Sequence, residues 1–156
     1  MLKKNIIIFY VTFITFFADR ISKYYILKTF NTDTVDYISI TSFLNLNLVL
    51  NKGIAFGLFS FNEQFYYNIL TVIIVLITSI VLFLAVKSSG IEKISFSLIF
   101  GGSLGNIFDR LSYSAVIDFI DIQINNFHWF IFNFADIFIS LGVIVLILLE
   151  FFKKKI

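Results

Sequence analysis

The chain has 156 residues, of which 59% are hydrophobic, 22 are phenylalanine and only 14% are charged, with a mean hydropathy of +0.95. That is more apolar surface than a soluble domain of this length can bury, so composition excludes a water-soluble protein and points to a bilayer as solvent. With no cysteine, no proline and a net charge of +2, the sequence also excludes thiolate chemistry, disulfides and proline-kinked helices, and it offers no basic face for nucleic acid.

Met1-Leu2-Lys3-Lys4 and the apolar run behind them resemble a signal peptide, but no small-x-small cleavage site follows and the run ends in Asp19-Arg20. The reading is an uncleaved first spanning helix over about 5–27. Residues 64–86 carry no charge and are long enough to span. A short basic turn, 87–93, leads to a third helix over about 94–111, and a fourth runs over about 133–152 to Lys153-Lys154-Lys155. Lys3, Lys4, Lys87, Lys93 and the terminal lysines fall on one side, which the positive-inside rule assigns to the cytoplasm together with both termini.

Segments 28–63 and 112–132 then lie outside. The first alternates polar with apolar residues over 38–50, which predicts short strands, and Asn51-Lys52-Gly53 reads as a turn. Phe56, Leu58, Phe59 and Phe61 are expected to dip into the interface. The second carries Phe119, Ile120, Phe127, Trp129 and Phe130 and suits a segment at headgroup level. The expected fold is an all-α integral membrane protein, one domain of four transmembrane helices, with a small strand-rich extracytoplasmic segment between helices 1 and 2.

The stretch from Gly101 to Asp136 holds four of the ten acidic residues, Asp109, Asp118, Asp121 and Asp136, between almost purely apolar flanks. A carboxylate at the centre of a membrane helix costs about 2.5–3.5 kcal/mol on insertion scales, so acids kept there need a reason. Water on an outer loop accounts for Asp121. For the others, depth is informative. At 1.5 Å per residue, Lys4 to Asp19, Lys93 to Asp109 and Asp136 to Lys153 measure roughly 22, 24 and 26 Å, against a hydrocarbon core of about 30 Å. Acids from three helices should therefore meet just inside the outer boundary, where Asp118 can fold back to join them. The alternative is four independent interfacial acids, wetted or paired with Arg20, Lys23 or Arg110.

Elimination narrows the chemistry. One histidine, His128, cannot build a zinc-peptidase helix motif and reads as an amphipathic ring beside Trp129. Gly102-Ser103-Leu104-Gly105 is not a nucleophile elbow. What remains is carboxylate: two acids sharing a site hold one proton between them, so the charged one can deprotonate water while the other polarises a carbonyl. Gly101, Gly102 and Gly105 allow close helix approach. Asn106 and Arg110, like Asp19 and Lys23, share a helix face at i, i+4; Asn133 and Asp136 do so at i, i+3. Arg110 suits a lipid phosphate, a substrate carbonyl or simple interface anchoring.

Five blocks in order carry a resemblance over nearly the full chain: Asp19-Arg20-Ile21-Ser22-Lys23; Asn51-Lys52-Gly53-Ile54-Ala55-Phe56-Gly57; Gly101 to Arg110; Val116-Ile117-Asp118-Phe119-Ile120-Asp121; and Phe132-Asn133-Phe134-Ala135-Asp136. The chain resembles the lipoprotein signal peptidases (signal peptidase II), bacterial membrane aspartic peptidases. The resemblance implies a catalytic pair, Asp118 and Asp136, with Asn106, Asp109, Arg110 and Asn133 positioning the pair and substrate, and Asp19, Lys23, Asn51 and Gly53 as further positions near substrate. It implies no metal and no cofactor. The implied substrate is a diacylglyceryl-modified prolipoprotein, cut before its lipidated cysteine at the extracytoplasmic face of the bacterial inner membrane. Globomycin-type inhibitors should compete, a strand-rich cradle with a small lid helix should fall within 36–61, and a monomer is expected. Arg20 and Ile137 stand where the family often has Gln and Ser, and the proline that often precedes its last block is absent.

Two other classes compete. A small ion- or proton-coupled transporter subunit predicts midplane acids and often a repeated half, and no repeat is seen. A purely structural membrane protein predicts that Asp118 and Asp136 are replaceable. The GxGD intramembrane peptidases are disfavoured because the chain has no such sequence.

Overall fold

The computed structural model describes residues 2–30, 37–53, 64–124 and 127–153. In chain order the elements are α1 (Leu2–Phe30), β1 (Ile38–Ser39), β2 (Leu44–Asn51), α2 (Gln64–Lys87), α3 (Gly90–Tyr113), β3 (Val116–Ile124), β4 (Phe127–Phe132) and α4 (Phe134–Lys153). Three stretches, Asn5–Phe30, Gln64–Lys87 and Phe134–Lys153, are long and apolar enough to cross a membrane. Only 17, 17 and 11% of their apolar windows are buried inside the protein, so most of that surface faces outward, as lipid-facing helices require. α3 is diluted by glycine, serine, Asn106, Asp109 and Arg110. It contacts α1, α2 and α4, and a helix shielded by three others can carry polar groups that a lipid-facing one cannot.

Small residues set how close the neighbours come. A Cβ on Gly101 would lie 1.8 Å from Thr15 Oγ1, one on Gly105 2.5 Å from Asp19 Oδ2, and one on Gly102 2.6 Å from the Ala135 carbonyl oxygen. Gly101 and Gly105 therefore seat α1, and Gly102 seats the first turn of α4. On α4, Gly142 returns the favour: a Cβ there would lie 2.6 Å from the Ser95 carbonyl oxygen.

Helix ends differ from the expected ones in an instructive way. α3 begins at Gly90, not near residue 94, because Lys93 is not a snorkelling anchor in a turn. It is 4% exposed, and its Nζ donates to the carbonyl oxygens of Ala85 at 2.7 Å and Val86 at 3.2 Å, satisfying the C-terminal carbonyls of α2. The expected basic turn shrinks to Ser88-Ser89. α1 runs to Phe30 and α3 to Tyr113, so both continue into the predicted outer segments.

The sheet requires a larger correction to the all-α expectation. Its order is β1-β2-β3-β4, all antiparallel, and half of its strands come from the segment between α3 and α4 rather than from that between α1 and α2. The segment expected at headgroup level forms two of these strands, Val116–Ile124 and Phe127–Phe132. One face, with Ile117 and Phe119, packs on Ile26, Leu27 and Phe30 at the end of α1. A bulge in β2 between Leu46 and Val49 shifts the register so that Val49 pairs with Asp118 and Asn51 with Val116. The apolar residues Phe56, Leu58, Phe59 and Phe61, most of the expected lid, and Lys154 and Lys155 lie outside the described residues.

Candidate active site

Asp118 and Asp136 arrive from different elements and meet through asparagine. α4 opens with a capping box: Asn133 is the residue before the helix, its Oδ1 accepts from the Asp136 N–H at 3.0 Å, and Asp136 Oδ2 accepts from the Asn133 N–H at 3.2 Å. The same Asn133 side chain reaches out of the cap, donating Nδ2–H to Asp118 Oδ1 at 2.6 Å and to Asn106 Oδ1 at 3.2 Å. Asn106 Nδ2 donates to Asp136 Oδ1 at 2.9 Å, and Asn51 Nδ2 donates to Asp118 Oδ2 at 2.9 Å. Asn133 thus holds both carboxylates, Asp118 through its side-chain amide and Asp136 through its backbone N–H. Burial pushes the Asp118 carboxyl up to about 7, reinforced by the Asp136 charge and opposed by the Asn51 and Asn133 hydrogen bonds and by Lys23.

Beneath the two acids lies a buried ion cluster. Lys23 Nζ sits 3.0 Å from Asp19 Oδ1, 2.6 Å from Asp109 Oδ2 and 3.0 Å from Asn106 Oδ1. Arg20 spans the other oxygens, with Nη2 2.7 Å from Asp19 Oδ2 and Nη1 2.7 Å from Asp109 Oδ1. Lys23, Asp19 and Asp109 are all but fully buried. Such charges persist in low dielectric only when paired and hydrogen-bonded. Lys23 links this cluster to the acids above through Asn106.

Arg110 is 6% exposed, lies 5.5 Å from the Tyr67 ring and donates to the Gly53 carbonyl oxygen. Gly53 N–H in turn donates to Asn51 Oδ1 at 2.8 Å, fixing the turn that aims Asn51 at Asp118. Among the described residues, Nε and Nη1 of Arg110 have no hydrogen-bond partner. Arg110, Asn106 and Asp136 border a cavity of about 610 Å³ whose remaining wall is mostly apolar, including Ile74, Ile122, Phe132 and Ile144. Asp136 faces this cavity; Asp118, 3% exposed, is not part of its wall.

All ten residues singled out in the sequence therefore fall in one connected network. The convergence of Asp19, Asp109 and Asp136 follows the depth argument, and the reading of four independent interfacial acids fails because Asp19 and Asp109 share both cations. Two readings are refined. Arg20, named in the sequence only as a possible counterion for the acids, is the second bridge of the ion cluster. Asp121 is not a wetted acid: it is fully buried and accepts from or shares a proton with His128 Nδ1 at 2.8 Å, so His128 is a partner for Asp121 and not just an interfacial ring. Ile74 of α2 also lines the cavity.

Comparison with known proteins identifies the family. Residues 11–152 match the family model for signal peptidase (SPase) II. The chain is 50% identical over 152 residues to a lipoprotein signal peptidase of Pelagibacter ubique, covering 97% of this chain and 90% of that one. It is 40% identical over 159 residues to one from Francisella tularensis subsp. novicida, covering 99% and 98%. A solved bacterial membrane enzyme superposes with a TM-score of 0.76 at 29% identity, covering 94% of this chain and 88% of the other. With a family model spanning nearly all of its length and relatives matched end to end, the chain belongs to the signal peptidase II family.

Proposed function

We propose that the protein is an aspartic endopeptidase that removes the signal peptide from diacylglyceryl-modified prolipoproteins, cutting before the lipidated cysteine. The observation that carries this reading is that Asn133 holds both carboxylates, Asp118 by its side chain and Asp136 by its backbone N–H, at the edge of an apolar cavity. The family supplies the substrate class, and the cavity's mostly apolar wall suits a lipid-bearing or signal-peptide segment.

In the proposed reaction Asp118, with its carboxyl near neutrality in strength, holds the proton shared by the pair, and Asp136 carries the charge. Asp136 takes a proton from water as the oxygen attacks the scissile carbonyl carbon; Asp118 gives its proton to the carbonyl oxygen. The tetrahedral adduct then collapses, a proton passes to the departing amine, and no covalent intermediate forms. Asn106, Asn133 and Asn51 keep the two carboxylates oriented. The unpartnered edge of Arg110 faces the substrate backbone or lipid, and Asp19, Lys23, Asp109 and Gly53 hold the frame.

We place four transmembrane helices in the bacterial inner membrane with both termini cytoplasmic, which puts the sheet and the acids at the outer face. Globomycin-type inhibitors would compete for the cavity, and the working unit is a monomer. The relatives named above are lipoprotein signal peptidases and lend the transporter reading no support. The test is a gel-shift assay on diacylglyceryl-modified prolipoprotein with wild type and Asp136→Asn in parallel. Release of the signal peptide by wild type alone supports the reading. Cleavage by both removes Asp136 from the chemistry, and cleavage by neither, with folded protein, overturns the peptidase assignment.

A further inference from the structure

The ion cluster beneath the two acids has a feature that pairing alone does not explain. Asp19 Oδ1 accepts from the backbone N–H of Ala135 at 3.1 Å, and Asp109 Oδ2 accepts from the backbone N–H of Ile117 at 3.2 Å. Ala135 immediately precedes Asp136, and Ile117 immediately precedes Asp118. Each acid of the cluster thus holds the backbone directly ahead of one acid of the pair. The Asp19–Asp109 separation fixes where the first turn of α4 stands relative to the start of β3.

Two cations set that separation. Lys23 bridges the inner oxygens, the same ones that take the backbone N–H groups; Arg20 bridges the outer oxygens at 2.7 Å each. With both cations the four-charge cluster is neutral. With Lys23 alone it would carry two carboxylates on one ammonium in surroundings where the most exposed of the four side chains, Arg20 itself, is only 14% exposed. A guanidinium is also the side chain shaped to span two carboxylates from one plane, whereas an ammonium is a point charge. The Phe108 ring 4.7 Å away holds that plane in place.

We propose that Arg20 is a positioning residue: acting through Asp19 and Asp109, it fixes the spacing of the Asp118 and Asp136 carboxylates without touching either. The kinetic consequence rests on the peptidase reading, whereas the structural one does not. The experiment therefore pairs cleavage kinetics with amide hydrogen exchange at Ile117 and Ala135 in detergent, on wild type, Arg20→Gln and Arg20→Lys. Gln keeps a donor but loses the charge; Lys keeps the charge but loses the fork.

In Arg20→Gln, exchange at both amides should rise about ten-fold or more while amides in the middle of α2 stay unchanged. kcat should fall on the order of 10²-fold with KM nearly constant, as expected when reacting groups are displaced by an ångström. Arg20→Lys should fall between the two. Unchanged exchange at both amides in folded Gln variant overturns the proposal. So does a loss of melting temperature with kcat per folded protein intact, since that is the signature of a mere anchor. Should Arg20→Gln fail to fold, Arg20→Lys decides by the same two amides. A wild type that does not cleave defeats the peptidase reading, and the exchange data still judge the clamp.

Discussion

Replacing Asn133 by alanine or by serine separates the two jobs of that side chain. Its Oδ1 caps α4 at the Asp136 N–H, and its Nδ2 holds Asp118 at 2.6 Å. Losing a cap costs about 1 kcal/mol, and losing a hydrogen bond to a charged group about 1.5–3 kcal/mol. Asn133→Ala forfeits both, roughly 2.5–4 kcal/mol. Serine caps helices about as well as asparagine but is too short to reach Asp118, so Asn133→Ser forfeits only the second. The serine variant should therefore melt above the alanine variant by about 2–4 °C, the shift expected per kcal/mol at this chain length. Both variants remove a donor that favours ionised Asp118, so its carboxyl rises further above about 7. If protonated Asp118 is the acid, the alkaline limb of kcat moves to higher pH, by roughly one unit per 1.4 kcal/mol. The assays are thermal unfolding in detergent and a pH profile of prolipoprotein cleavage. Equal melting of the two variants would refute the capping argument. An alkaline limb that stays fixed or moves to lower pH would refute the assignment of Asn133 to Asp118.

Asp118→Asn and Asp136→Asn should each lower cleavage by at least about 10²–10⁴-fold, measured by gel shift, with the helical circular-dichroism signal retained. Because the folded protein holds the Asp118 proton up to about 7 and an ordinary carboxyl releases it near 3.8, the folded state binds more protons between those values. Stability should then fall as pH rises through that window and level off above it, and Asp118→Asn should lose that part of the slope in melting scans. Gly105→Ala gains about 1 kcal/mol of helix propensity but drives a methyl to 2.5 Å from Asp19 Oδ2, an oxygen locked by Arg20. Overpacking of about 1–3 kcal/mol should dominate and lower the melting temperature. Lys93→Met strands the Ala85 and Val86 carbonyls and should cost about 1–3 kcal/mol in thermal unfolding, with kcat of the folded protein unchanged because the site is at the other end of α3. Arg110→Ala should reduce cleavage more than melting temperature; equal losses would make Arg110 an anchor only.

Much of the molecule was legible from the order of residues. Apolar runs with lysines at their ends located the helices, since a bilayer enforces length and charge placement residue by residue. Distances counted along those helices brought Asp19, Asp109 and Asp136 to one depth because a helix has a fixed rise. Spacing of i, i+3 and i, i+4 put Asn133 with Asp136 and Asp19 with Lys23 on shared faces, and the structure uses both pairs.

Tertiary structure decided what one-dimensional spacing cannot express. That Val116–Ile124 pairs with β2 depends on a partner strand more than sixty residues away, which no local pattern names. Lys93 looks like any flanking lysine until the end of α2 arrives over it. Asp121 looks like a wetted loop acid until β4 brings His128 beside it. Arg20 follows Asp19 in the chain, where successive helical residues point in different directions, and only the approach of α3 at Gly105 lets its long side chain turn back across two carboxylates. Local sequence determines which groups a helix or strand presents and how deep they sit; which of them share a proton, a cation or a cap is settled by the packing that brings separate segments within hydrogen-bond distance.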